Sequence, residues 1–135
     1  MFPRTRFKIF AYSILLVIAI GLLIWWSFYN AAKGRDYERL GEMKILQSEL
    51  NYYFLNFDTY EIPGCQIGSP VNLCVGENLR WLNIGKIIDP KNSGNFQFIV
   101  AELSPDNFKI NFSLETGVGG LPRGNYILTK EGIGR

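Results

Sequence analysis

Cys65 and Cys74, in the stretch CQIGSPVNLC, are the residues whose type and spacing most directly suggest chemistry in this chain. A disulfide between them would contribute roughly 2.5–3 kcal/mol in the chain-entropy account, given an oxidising compartment. Two free or metal-binding thiols are the alternative, but with no histidine in the chain a structural zinc ion lacks its usual ligands. The same lack removes the commonest general base and the usual nucleophile-activating triad. The carboxylates show no paired placement along the sequence. No catalytic residue is therefore assigned, an enzyme is not expected, and no small-molecule substrate is predicted. Tyr52, Tyr53, Phe54, Phe57 and Tyr60 crowd one stretch, as in a surface that stacks nucleic-acid bases. Such a surface needs basic residues between its rings. Asn51, Asn56, Asp58 and Glu61 stand there instead, so the rings are expected to pack on other parts of the fold and no nucleic acid is predicted.

Whether the cysteines meet an oxidising environment depends on the elements before them. The chain has 135 residues, 47% hydrophobic and 19% charged, with 14 Lys+Arg against 12 Asp+Glu. The apolar residues are unevenly spread: residues 9–32 hold no ionisable side chain except tyrosine. As a helix this run is about 36 Å long at 1.5 Å per residue, enough to cross a hydrocarbon core of about 30 Å with some tilt. Arg4, Arg6 and Lys8 precede it with no acid among them, whereas Lys33, Arg35 and Arg39 follow it partly offset by Asp36 and Glu38. The positive-inside bias then puts residues 1–8 in the cytoplasm and everything after residue 32 outside it. Trp25, Trp26 and Tyr29 fall near the far end, where amphipathic rings prefer the membrane interface. A cleaved secretory signal ending at Ala31 and Ala32 is the competing reading. The run exceeds the usual apolar core of such signals, and Tyr29 or Asn30 would occupy a position that wants a small residue.

Beyond the run, Tyr37, Leu40, Met43, Leu46, Leu50, Phe54 and Phe57 recur at spacings of three or four, one face of an amphipathic helix over residues 33–59. Lys33, Asp36, Arg39, Lys44, Gln47, Ser48 and Asn51 lie mainly between them, on the face expected to be wet. No proline separates Pro3 from Pro63, so the helix is expected to continue unbroken out of the apolar run. The stretch NLRWLNIGKII is expected to make one or two helical turns. NFQFIVAEL, NFKINFSLE and NYILTK are strand candidates, the second alternating cleanly between apolar and polar. SPDN is a tight turn, and the glycine-rich TGVGGLPRGN a longer loop. The expected fold is α+β: residues 60–135 form a disulfide-tied loop and a small three-stranded antiparallel sheet, covered by the striped half of the helix.

The chain resembles the type IV pilins and, more closely, the pseudopilins of type II secretion systems. In GRDYERLGEMKILQSELNYYFLNFDTYEIP, Arg35, Asp36, Arg39, Leu40, Lys44 and Gln47 stand in places that match the family's amphipathic segment, and IIDPKN, FSLE and LTKEGIG are similar to its later landmarks. The resemblance implies a single-pass, membrane-anchored structural subunit of a pilus or secretion-like assembly. Its partners would be the membrane and like subunits or other pilins, and it would act through association of its helix. The family's peptidase site departs here: in RFKIFA, Phe7 matches the first residue after the cut, but Arg6 replaces glycine and Ala11 replaces the glutamate that pairs with a freed amine. An uncut anchor is therefore expected. A carboxylate within hydrocarbon is costly without such a partner, which makes alanine the better residue in an uncut chain. The major pseudopilins of the family it resembles hold calcium in a C-terminal loop. Here ETGVGGLPRGN supplies only Glu115 and carbonyls, and DPKNSGN supplies Asp89, Asn92 and Asn95 with one charge, short of the roughly 6–8 oxygens of a tight site. Both are expected to be plain turns, with no cofactor. A lone membrane-tethered extracytoplasmic binding or adaptor domain that never polymerises is the rival reading.

Overall fold

The computed structural model describes residues 4–74 and 83–135, with side chains from 8–74 and 84–135. The chain divides into two compact units, Met1–Ala32 and Lys33–Arg135. One α-helix, α1, spans Arg4–Phe57 without interruption. Gly21, Gly34 and Gly41 each cost it about 1 kcal/mol relative to alanine, too little to break a helix anchored by side-chain packing further on. It ends where Asp58 turns left-handed at φ 55° and donates its N–H to the Phe54 carbonyl at 2.8 Å, a short polar residue doing what glycine usually does at a helix C-terminus.

In the first unit, apolar side chains stand exposed on all sides of the helix, Ile9 by 65% and Leu23 by 69%. A helix apolar all round is suited to lipid rather than water. By length and composition α1 is able to cross a membrane, with a mean hydropathy of 2.4 in its most apolar window. Trp25 and Tyr29, one turn apart, stack with ring centres 6.0 Å apart.

The second unit is an α+β layer. Among the described residues its sheet has four antiparallel strands in the order β1 (Ile99–Leu103), β2 (Phe108–Val118), β3 (Leu121–Thr129) and β4 (Gly132–Gly134). The alternation in β2 puts Phe108, Ile110, Phe112 and Leu114 inside, none more than 2% exposed, with Asn111 and Lys109 on the opposite face. These residues pack against Met43, Leu46 and Leu50 of α1 in one core that also takes in Ile62, Val71, Ile84 and Ile87. Each such side chain contributes roughly 1.5–3 kcal/mol on burial.

Three expectations about this unit are corrected. The TGVGGLPRGN stretch is no long loop: β2 and β3 run through it and meet at a two-residue turn, Gly119–Gly120, with φ of 62° and 83°, the paired positive values of a tight hairpin turn. A fourth strand follows Thr129, and the first is shorter than NFQFIVAEL suggests, beginning at Ile99. The buried stripe of α1 is also rotated from the expected one. It reads Asp36, Arg39, Met43, Leu46, Leu50, Tyr53, while Leu40 and Phe54 are partly buried against the core. Tyr37 is 59% exposed and lies off this face, about 100° round the helix from Asp36. Phe57, 39% exposed, sits at the margin with its ring 4.5 Å from that of Tyr53.

Cys65 and Cys74 are joined in a disulfide. The loop they tie lies along the outer edge of β1: Gly68 donates to the Val100 carbonyl at 2.7 Å, Val100 to Ser69 at 3.0 Å, and Val71 to Phe98 at 2.8 Å. An open strand edge is a template for unwanted pairing, and the cysteine loop covers this one. Of NLRWLNIGKII, the first part lies outside the described residues and Asn83–Lys86 form a 3-10 turn.

Candidate functional site

The most elaborate polar construction in the chain is a charge cluster buried between α1 and the sheet. Asp36 and Arg39, a helical turn apart, share an ion pair of 2.8 Å and have no exposed side-chain surface. Neither would be stable there alone, since an unpaired buried charge costs several kcal/mol. Partners come from two distant segments. Asp89, in the DPKN turn, accepts Arg39 Nε at 2.7 Å and Nη2 at 2.9 Å, a planar fork. Glu115, on β2, accepts Arg39 Nη1 at 2.8 Å and a second fork from Arg35 at 2.7 and 2.8 Å. Such two-bond contacts fix orientation as well as distance. Lys91 adds a longer contact to Glu115 at 3.5 Å. The Phe96 ring lies under both Arg39, 4.8 Å from its centre, and Lys91, 4.3 Å.

Asp36 does a second job. Its carboxylate accepts the backbone N–H groups of Glu115, Thr116 and Gly117 at 2.9, 2.7 and 2.9 Å, and the Thr116 hydroxyl at 2.8 Å. Three consecutive N–H groups point one way because β2 bulges between Leu114 and Gly117. Successive N–H groups in such a bend make an anion-binding concavity. Gly117 permits the bend: at φ 93° a Cβ would come within 2.6 Å of the Leu121 carbonyl. Asp89 similarly holds its own turn, accepting the N–H of Lys91 at 2.8 Å.

The charges balance, three cations against three carboxylates, and every buried side-chain nitrogen and oxygen among the described residues has a partner. The Arg35 fork, opposed by burial and reinforced by Arg39, holds the Glu115 carboxyl down at about 2. Burial pushes Asp36 upward, but the N–H groups of Glu115, Thr116 and Gly117 outweigh it and leave the carboxyl below its usual range. Burial likewise works against the charge on Arg39, and the bonds to Asp89, Glu115 and Asp36 raise its pKa regardless. Glu115 and Asp36 therefore stay ionised through the neutral range. With its oxygens occupied by guanidinium and N–H donors, what the cluster does chemically is hold three segments in register.

The residues singled out in the sequence fall into place unevenly. Asp89 and Glu115, considered for a cation, converge on Arg39, while Asn92 and Asn95 stay exposed at the turn. Asp36 and Arg39, expected on the wet face, are the most deeply buried charges among the described residues. Their sequence signal was indirect: they stand at matching positions of the resemblance, without a physical reason attached. Trp25, Trp26 and Tyr29 remain exposed on the first unit, at 65%, 64% and 44%. Comparison of the chain with protein-family models, curated proteins and solved structures gives no match.

Proposed function

We propose that this chain is a membrane-anchored structural subunit of the pilin-like or pseudopilin-like kind, which works by assembly rather than by chemistry. The observation that carries the reading is the one uninterrupted helix of 54 residues, apolar and exposed in its first part and then supplying one wall of an α+β head. A cytoplasmic N-terminus and an extracytoplasmic head belong to the same proposal, supported by the basic residues before the apolar run and by the disulfide after it. In this reading the exposed apolar helix associates with like helices in lipid. Within the second unit, the buried Arg39 cluster ties the α1 residues to the sheet and to the turn at Asp89.

The non-polymerising adaptor is kept as the second reading by one feature: Arg6 and Ala11 replace the glycine and glutamate on which processing and subunit recruitment rest in the resembling family. Mechanical shearing of cells separates the two. Assembly predicts release of the protein in long fibres. Recovery of the protein solely as a detergent-solubilised monomer would favour the adaptor. Intact-mass measurement on membrane-extracted protein is expected to give the uncut chain, and a mass lacking residues 1–6 would show that a peptidase accepts RFKIFA.

A further inference from the structure

Beside the charge cluster, the β2–β3 hairpin and the first turns of α1 within the second unit border a shallow, open cleft of about 400 Å³, lined by Lys33, Tyr37, Thr116, Gly119, Gly120 and Pro122 among others. We propose that this cleft binds the phosphate of a phospholipid headgroup. The inference rests on the membrane-anchored reading above and goes beyond it in naming a lipid site.

Four features of the cleft point to an anion. No acidic side chain lines it. Asp36, which adjoins Tyr37 in the helix, has its oxygens taken by the Glu115, Thr116 and Gly117 amides. Lys33, which lines it, and Arg123, exposed just beyond it on β3, have no ion-pair partner among the described residues. At the hairpin tip the backbone N–H groups of Gly119 and Gly120 donate to no acceptor among the described residues, and with no side chains they present two adjacent free donors. Successive N–H groups of a turn form a concavity suited to a phosphate.

Two further features favour a headgroup over a free anion. Lys33 is the first residue after the membrane-length apolar run, and a lysine at the end of a membrane helix reaches with its ammonium into the headgroup layer on either side. The rim is partly apolar, with Tyr37 59% exposed next to Leu121 and Pro122. A phenol whose ring is left in the open is suited to the headgroup layer, where one end is greasy and the other wet. The hairpin is held in place by contact as well: a Cβ on Gly119 would lie 3.3 Å from Leu40 Cδ1, so the tip rests against the helix.

The test uses the full chain in nanodiscs of phosphatidylcholine and phosphatidylglycerol, a fraction of whose lipids carry a nitroxide on the headgroup. The amide signals of Gly119 and Gly120 are expected to lose most of their intensity. That of Asp106, in the turn at the opposite end of β2, should keep its own. The double variant Lys33→Glu, Arg123→Glu should recover the hairpin signals. Unchanged Gly119 and Gly120 intensities, equal loss at Asp106, or no recovery in the variant would overturn the proposal. So would saturable chemical-shift changes of the same amides on adding inorganic phosphate to the protein in detergent micelles, which would make this a free-anion site. A chain that does not co-purify with the nanodiscs at all would overturn the membrane-anchored reading, and is distinguished from the other outcomes before any spectrum is taken.

Discussion

Arg39 and Asp89, fifty positions apart in the chain, meet in a two-bond fork of 2.7 and 2.9 Å in which neither side chain exposes any surface to water. The fork joins the helix to the turn that begins at Asp89, and Glu115 extends the same contact to the sheet. A buried pair of this kind adds little net stability over an apolar replacement of the same shape, yet removing one partner strands the other.

Arg39→Met in the full chain is therefore expected to cost about 3–5 kcal/mol, because Asp36, Asp89 and Glu115 lose their common cation. Arg39→Lys should recover only part of the loss, since an ammonium cannot form the planar fork with Asp89. Urea denaturation of the detergent-solubilised protein measures both, and a lysine variant as stable as the parent would refute the geometric argument.

Asp36→Ala removes the acceptor of three successive N–H groups and of the Thr116 hydroxyl. Amide hydrogen exchange is expected to quicken at Glu115, Thr116 and Gly117 by more than at Phe108 or Ile110 in the same strand. Uniform quickening along β2 would mean that the carboxylate supports the sheet as a whole and not the bulge.

Acid should loosen the head in a defined window. Unfolded carboxyls titrate near about 4, whereas Glu115 is held down at about 2 and Asp36 is also lowered. Between those values the unfolded chain takes up protons that the folded one refuses, so stability falls with pH there. The contribution of these groups is complete above about pH 5 and is lost as pH falls toward the folded value of about 2. Urea midpoints followed downward in pH should show this decline, and Glu115→Gln should flatten it.

Leu46→Ala and Tyr37→Ala separate the true inner stripe of α1 from the one its spacing suggests. Leu46 is fully buried, and its truncation is expected to cost about 2–5 kcal/mol. Tyr37 is 59% exposed, and its truncation should change stability by about 0.5 kcal/mol or less. Equal costs in thermal or urea unfolding would contradict the rotation of the stripe.

Reduction of the Cys65–Cys74 bridge, or replacement of both residues by serine, should lower stability by roughly 2.5–3 kcal/mol. It should also speed exchange at the Gly68, Val71 and Val100 amides, whose hydrogen bonds tie the loop to β1. Digests run with and without reductant should differ at the peptide carrying Cys65 and Cys74.

Much of the architecture was legible along the chain because it depends on local pattern. The proline-free stretch and the three-and-four spacing foretell the long helix, and the alternation in NFKINFSLE foretells β2. The Gly119–Gly120 hairpin was also within reach, since a Gly-Gly pair between extended segments is a hairpin signal. Gly117 and Pro122 obscured it, because both normally break strands. Here one forms the bulge and the other pairs opposite it.

What the amino-acid order determined by itself is the length of the helix, the membrane-length apolar half, the inward face of β2 and a cysteine pair close enough to join. What only the tertiary structure decided is which side of the helix faces inward and why two charges lie there. A charged residue in a sequence is expected in water, since its desolvation is costly. That cost is offset at Asp36 and Arg39 only by Asp89, Glu115 and the bulged amides of β2, and those partners arrive from 50 to 81 positions away when the sheet closes over the helix.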